Sequence, residues 1–267
     1  VLRKRIGIIG CGNMGGAILA GLVKNRIVAS SRINVYDKIL PKAKALSRQW
    51  KVRARASNAE VVRASDIVVL AVKPQDLFAA ASEFQRAFTR QNLLITILAG
   101  TPIAKVRRAV GPKPKIVRAM PNLGAQVGEA ITALAASDRQ GLALAEILFS
   151  GCGKTARLTE RHFDLVTAVS GSGPAYFFLL MELLSKEARA HGLSEAVARG
   201  LAVQTAVGAG LLARRSTFSP AELRKQVTSK GGTTEAALRV FEREGLAVIV
   251  SKGIRAALRR GRELSRK

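Results

Sequence analysis

Short, nearly continuous apolar runs alternate with helix-period runs over the first part of the chain. Residues 5–9, 33–36, 67–72, 93–98, 115–120 and 130–135 read as strands, with a weaker one at 52–56. The unbroken apolar character of 67–72 is that of a strand covered on both faces. Residues 17–23, 43–49, 58–64, 77–88 and 102–110 read as the intervening helices. Strands alternating with helices imply right-handed crossovers and an α/β, doubly wound parallel sheet.

Beyond residue 158 the strand signals fade and helical runs take over. Residues 174–191 carry an apolar face through Tyr176, Phe177, Leu180, Leu183 and Leu184, with Gly192 placed to end the helix in a left-handed turn. Ser194 opens a run over 195–214. Ser219-Pro-Ala-Glu222 has the form of a capping box with proline at the first helical position. Residues 234–243, stopped by Gly245, and 246–264 complete the set. The boundary falls between Arg157 and Asp164, giving a dinucleotide-binding Rossmann domain over 1–158 and an all-helical domain over 159–267. The stretch 202–212 is apolar or small on nearly all faces, more than a domain of about a hundred residues can hide. An obligate homodimer through the second domain is the expectation.

Composition narrows the class. The chain has 267 residues, 48% of them hydrophobic and only 4% aromatic, so Ala, Val, Leu and Ile do most of the packing. No apolar run is read as long enough to cross a bilayer. Arg3, Lys4 and Arg5 lead straight into a strand, which is not the form of a signal peptide. Cys11 and Cys152 are the only cysteines and have neither a disulfide nor a metal spacing, so a reducing cytoplasm is the expected setting. There are 44 Lys+Arg against 18 Asp+Glu, net +26, a balance that favours acidic partners. The basic residues are spread along the chain without interleaved aromatics, which favours a solvated basic surface over a nucleic-acid groove. The terminal run Arg255-Ala-Ala-Leu-Arg-Arg-Gly-Arg262 is the best candidate for an electrostatic contact.

Three groups of residues carry chemistry. Gly10, Cys11, Gly12, Asn13, Met14 and Gly15 follow a strand and open a helix, the context that makes this glycine spacing a dinucleotide loop. Asp37, at the end of the second strand, is placed to accept from a ribose 2′-hydroxyl, which favours NAD. Lys38 follows at once and faces a 2′-phosphate equally well, which favours NADP; the two signals conflict. Val72, Lys73 and Pro74 after Ala71, then Ala99 with Gly100, then Met120-Pro-Asn122, stand at carboxyl ends of strands, where ligands of open sheets lie. Downstream, Val169-Ser-Gly-Ser-Gly-Pro-Ala-Tyr176 and Ser229-Lys-Gly-Gly-Thr-Thr234 each open a helix-like stretch with N–H and hydroxyl donors suited to an anion. Together these point to a nicotinamide enzyme acting on a small carboxylate. Gly151-Cys-Gly-Lys-Thr155 fails as a phosphate loop, because Leu148 stands where a glycine is needed. His162 and His191 have no evident nucleophile to serve, and no metal site is read.

Nearly end to end, the chain resembles the pyrroline-5-carboxylate reductase family. The resemblance rests on residues 6–15, Ala71-Val-Lys-Pro74, Arg118-Ala-Met-Pro-Asn122, Ser170-Gly-Ser-Gly-Pro-Ala-Tyr176 and Val227-Thr-Ser-Lys-Gly-Gly-Thr-Thr234. It implies reduction of 1-pyrroline-5-carboxylate to L-proline, the last step of proline biosynthesis, with NADP (NAD as the alternative cofactor). It implies a homodimer that can build into larger rings, a decamer of dimers among them; no membrane partner is expected from the sequence, and a nucleic-acid partner is the least favoured reading. It carries cofactor contacts onto the 10–15 loop, Asn58, Ala71, Val72, Lys73, Pro74 and Ala99. It carries the substrate carboxylate onto Ser229, Gly231, Gly232, Thr233 and Thr234, with Thr234 and Glu160 as the catalytic candidates, Glu160 near the substrate nitrogen. The chain departs from the family pattern at Lys230, in place of a proline, at Lys225, where aspartate is common, and at Leu123-Gly124, in place of Thr-Pro. The alternatives are a related two-domain imine or hydroxyacid reductase and a basic nucleic-acid-binding protein on this scaffold.

Overall fold

Among the described residues, eight strands and twelve helices follow in the order that the hydrophobic pattern sets out, with three elements it did not announce. They are β1 (Ile6–Ile9), α1 (Asn13–Lys24), β2 (Ile33–Tyr36), α2 (Leu40–Trp50), β3 (Arg53–Ala54), α3 (Asn58–Arg63), β4 (Ile67–Leu70), α4 (Leu77–Phe84), β5 (Leu93–Thr96), α5 (Ile103–Val110), β6 (Lys115–Met120), β7 (Ala130–Ala135), α6 (Arg139–Phe149), β8 (Gly153–Arg157), α7 (Phe163–Val166), α8 (Gly173–Ala190), α9 (Glu195–Arg215), α10 (Pro220–Gln226), α11 (Thr233–Arg243) and α12 (Leu246–Arg266). The computed structural model describes residues 1–266, Arg266 in backbone only; Lys267, the end of the expected second domain, lies outside the described residues. The chain divides into two compact units, Val1–Ser172 with the stretch from Ala257, and Gly173–Ala256.

In the first unit the sheet order is β3-β2-β1-β4-β5-β6-β7-β8. All neighbours are parallel except β6 and β7. Both faces are covered, so alternate residues of one strand belong to different cores. Ile6, Ile8, Ile67, Val69, Leu93 and Ile95 face Ile18, Leu19 and Leu22 of α1 and Leu148 and Phe149 of α6. Ile9, Val68, Leu70 and Leu94 face Val61 and Val62 of α3, Leu77 and Phe84 of α4, and Val106 of α5. Each such side chain, fully buried, is worth about 1.5–3 kcal/mol. The sheet reverses direction of growth at β1, which pairs with β2 on one side and β4 on the other. A crevice opens at the carboxyl ends of these strands.

The unannounced elements have physical reasons. β8 is an edge strand of half-exposed residues, with no apolar run to reveal it. α6 is largely apolar, with Gly141, Ala145, Leu148 and Phe149 buried, and the sequence reading passed over it; α7, Phe163–Val166, is a single turn, too short to show a period. Strands read as 67–72 and 93–98 stop at Leu70 and Thr96, because the residues that follow leave the ladder to line the crevice or turn. The contact division falls later than the sequence boundary at 158/159. Residues up to 172 stay with the sheet because Phe163 is buried beside Ala133 and Ala135. The end of α12 returns to the same unit, where Ser265 Oγ donates to Asp164 Oδ1 at 2.9 Å.

The second unit holds α8 to α11 and the first part of α12. Gly192 (φ +94°) ends α8, and Ser219 and Glu222 form the expected capping box at α10. Its helices present much exposed apolar surface, including Phe177, Leu180, Leu201 and Val207. Here one sequence reading is corrected. By length and composition, Glu160–Ala190 and Glu195–Arg215 are long and apolar enough to cross a membrane. Isolated charges such as Glu182 break the strict apolar run without lowering the average enough to exclude it. Helices that cover one another between subunits have the same property.

Candidate functional site

Gly10 leaves β1 with φ +100°, a conformation that L side chains rarely adopt. A Cβ at Gly10 would also lie 2.5 Å from the Ala71 carbonyl oxygen, and one at Gly15 would run into the Gly10 carbonyl oxygen. Gly12, the N-cap of α1, has open space where a side chain would stand. The first turn of α1 holds no acidic residue, so its unpaired N–H groups are left to attract an anion. In front of this loop lies a cleft of about 310 Å³ lined by Gly10, Gly12, Asp37, Lys38, Asn58, Ala71, Val72 and Lys73 among others. Asn58 donates Nδ2–H to Glu83 Oε2 at 2.7 Å, while its buried Oδ1 has no partner. An open glycine cradle and an orphaned acceptor fit a dinucleotide.

Eight of the residues predicted to hold the cofactor thus line one cleft. Others support it from behind. Cys11 is buried, its thiol pushed up to about 12 mainly by burial and further by Asp37. Gly15 is buried and Met14 packs on the core. Asn13, Pro74 and Ala99 are not among the cleft-lining residues. Asp37 lines the cleft and also braces the loop: its Oδ2 accepts from Cys11 N at 2.7 Å and its Oδ1 from Ile39 N at 2.8 Å, which leaves each oxygen a second acceptor position. The sequence reading missed Lys42, Asp76, Ala79, Ala80 and Glu83, which also line the cleft. The last four had a signal: their spacing of three, one and three is one helical face, with two alanines leaving room.

A second cluster in the same unit joins residues 118–122 to 160–171. Arg118, its side chain only 4% exposed, lies 3.1 Å from Glu160 Oε1 and stacks 4.7 Å over the Phe163 ring. Burial lowers the Arg118 pKa, opposed by the bond to Glu160. Glu160 Oε1 also accepts from Ile103 N at 2.7 Å, at the start of α5. Glu160 therefore ties two elements together. Asn122 donates to Ser170 Oγ at 3.1 Å. Gly171 packs against the tip of Met120, whose Cε would lie 2.6 Å from a Cβ placed there. Ser170 does not open a helix as expected. It sits in a π-helical turn, Thr167–Gly171, with Ser172 N donating to Thr167 O at 2.8 Å. Pro174 lacks the N–H that would reach back to the Ser170 carbonyl, and the winding loosens there.

In the second unit the predicted carboxylate turn is a tight one. Gly232 N donates to Ser229 O at 3.0 Å, and Gly231 takes φ +75°. Gly232 is the N-cap of α11, with Thr233 and Thr234 in its first turn. Gly231 N is already engaged by Glu235 Oε2 at 2.6 Å, a bond that holds the Glu235 carboxyl below its usual range. Gly232 N is taken by Ser229 O, so the donors left for an anion are the N–H groups and hydroxyls of Thr233 and Thr234. Thr234 and Glu160, paired in the sequence reading, belong to different compact units.

Known proteins agree over the whole length. A family model described as "Pyrroline-5-carboxylate reductase dimerisation" matches residues 160–264. One described as "NADP oxidoreductase coenzyme F420-dependent" matches residues 5–100. The pyrroline-5-carboxylate reductase of Pseudomonas aeruginosa is 38% identical over 98% of this chain and 97% of its own. A pyrroline-5-carboxylate reductase structure from Coxiella burnetii is 34% identical with a TM-score of 0.92, covering 99% of each chain. The Plasmodium falciparum pyrroline carboxylate reductase structure, described with NADP bound, is 27% identical with a TM-score of 0.88, covering 98% of each chain. With the glycine cleft, the braced 118–122 segment and the 229–234 turn all present, this likeness means that the chain belongs to the pyrroline-5-carboxylate reductase family.

Proposed function

We propose that the chain reduces 1-pyrroline-5-carboxylate to L-proline with NADPH, closing proline biosynthesis in the cytoplasm as a homodimer that can assemble into larger rings, up to a decamer of dimers. The observation that carries this reading is the glycine-lined cleft, with its open Gly12 cradle and orphaned Asn58 Oδ1, in a chain matched end to end by reductases of that name. When bound, the reduced nicotinamide supplies a hydride to the C=N carbon of the ring. A protonated imine is already electrophilic, so the protein's main contribution is holding the partners in place, worth at most about 7–11 kcal/mol. Gly10, Gly12 and the α1 terminus hold the pyrophosphate. Ala71, Val72 and Lys73 line the path beyond it. Thr233 and Thr234 hold the substrate carboxylate through N–H and hydroxyl donors at the start of α11, on a turn that Gly231 and Gly232 shape. Glu160 acts by positioning, through Arg118 and Ile103.

The dimer follows from the exposed apolar faces of α8 and α9, which water leaves uncovered at a cost of about 25 cal/mol per Å². Sedimentation is expected to show a dimer, and Leu201→Lys, which puts a charge on an exposed apolar position, to shift it towards monomer. Thr234→Ala is expected to raise KM for the imino acid about tenfold, the loss of one charge-assisted hydrogen bond, with KM for NADPH unchanged. Equal effects on both would remove Thr234 from the carboxylate site.

A further inference from the structure

The outer rim of the cofactor cleft carries a charge pair that hydride transfer does not use. Lys38, directly after Asp37, places Nζ 3.1 Å from Asp76 Oδ2 in the turn that leads into α4. Lys42, on the first turn of α2, lines the same cleft. Asp37 holds the position from which a carboxylate reads an unmodified ribose, but both its oxygens are turned onto backbone N–H groups. The charged groups at this end of the cleft are Asp37, already held by those two bonds, the two lysines and Asp76.

We propose that Lys38 and Lys42 recognise a phosphate on the adenosine ribose, and that Asp76 is an internal competitor for Lys38 that sets how strongly NADP is preferred over NAD. This rests on the reading of the chain as a nicotinamide-dependent reductase. The Lys38 side chain is 73% exposed and that of Asp76 33% exposed, so their pair is weak and solvent-screened. A phosphate dianion between two ammonium groups makes stronger, charge-assisted bonds and displaces Asp76 from Lys38. A ribose hydroxyl has no charge with which to do so, and Lys38 stays on Asp76. The discrimination therefore arises from the two lysine charges, reduced by the cost of breaking the Lys38–Asp76 pair. Asp76 remains at the rim as a like charge that trims the gain.

Titration calorimetry with NADP⁺ and with NAD⁺ tests this without any turnover. The wild type is expected to bind NADP⁺ more tightly than NAD⁺. Lys38→Gln should weaken NADP⁺ on the order of tenfold and leave NAD⁺ within about twofold. Asp76→Asn should tighten NADP⁺ about threefold to fivefold with NAD⁺ little changed. Lys44→Gln, which removes the same charge from an exposed α2 position outside the cleft lining, should alter neither by more than about twofold. Lys38→Arg should keep the preference, and a thermal melt of each variant verifies folding. Equal losses for both cofactors in Lys38→Gln, a loss in Lys44→Gln matching it, or weaker NADP⁺ binding in Asp76→Asn would overturn the proposal. A wild type that prefers NADP⁺ as described yet does not reduce 1-pyrroline-5-carboxylate would sink the functional reading and leave this one standing. Turnover with unchanged discrimination in the variants would do the reverse.

Discussion

Gly10 shows how little freedom the cofactor loop has. Its φ of +100° and the 2.5 Å approach of a hypothetical Cβ to the Ala71 carbonyl oxygen forbid any side chain without movement of the β1 and β4 ends. Gly10→Ala is expected to lose about 1–3 kcal/mol of stability to backbone strain and at least tenfold in NADP⁺ affinity, measured by urea unfolding and calorimetry. The two cysteines set a pH dependence. Burial holds Cys11 up to about 12 and Cys152 up to about 11, against an ordinary value of 9.0. Above that ordinary value the unfolded chain gives up thiol protons that the folded chain keeps, so stability falls as pH rises from about 9. Urea midpoints between about pH 8 and about pH 11 should decline, and less steeply when both cysteines are alanine. An equal slope in that variant would assign the decline to other groups. Glu160→Gln keeps an acceptor for Ile103 N but no charge for Arg118. It should lower stability by about 1–2 kcal/mol, discounted for the partial exposure of Glu160, with kcat near wild type in the folded protein. A large drop in kcat without loss of stability would give Glu160 a direct role instead.

Elements buried on both faces were legible because nothing but an apolar run can form them. β1, β4 and β5 announce themselves in this way, and the glycine loop after β1 needs only its spacing and context. The edge strand β8 was not legible, since its half-exposed residues carry no period. Side-chain direction was also hidden. The sequence puts Asp37 at the end of β2, but only the fold shows it turned onto Cys11 N, and only the fold brings Asp76 to Lys38 across 38 residues. The π-turn at Thr167–Gly171 was invisible for a similar reason: Ser170 looked like a helix start because its neighbours are small, whereas helix precedes it as well. In α4, by contrast, the face formed by Asp76, Ala79, Ala80 and Glu83 was there to be read.

The molecule combines a net charge of +26 with helices whose apolar faces are exposed. The charge raises the local concentration of anionic cofactor and substrate, an effect that salt screens over about 8 Å at physiological strength. KM for NADPH is therefore expected to rise with ionic strength more than kcat falls; a KM flat with salt would confine the charge to a solvated surface. The apolar faces call for a second copy, and the family match over 160–264 carries the word dimerisation in its description. Substrate turnover bears on all of this at once. The experiment is to mix purified protein with NADPH and 1-pyrroline-5-carboxylate, follow oxidation of the nicotinamide, and assay for L-proline. Oxidation that depends on the imino acid and yields L-proline in equal amount is the predicted result. A folded protein that binds NADP⁺ but leaves NADPH unoxidised with that substrate would contradict the proposed reaction.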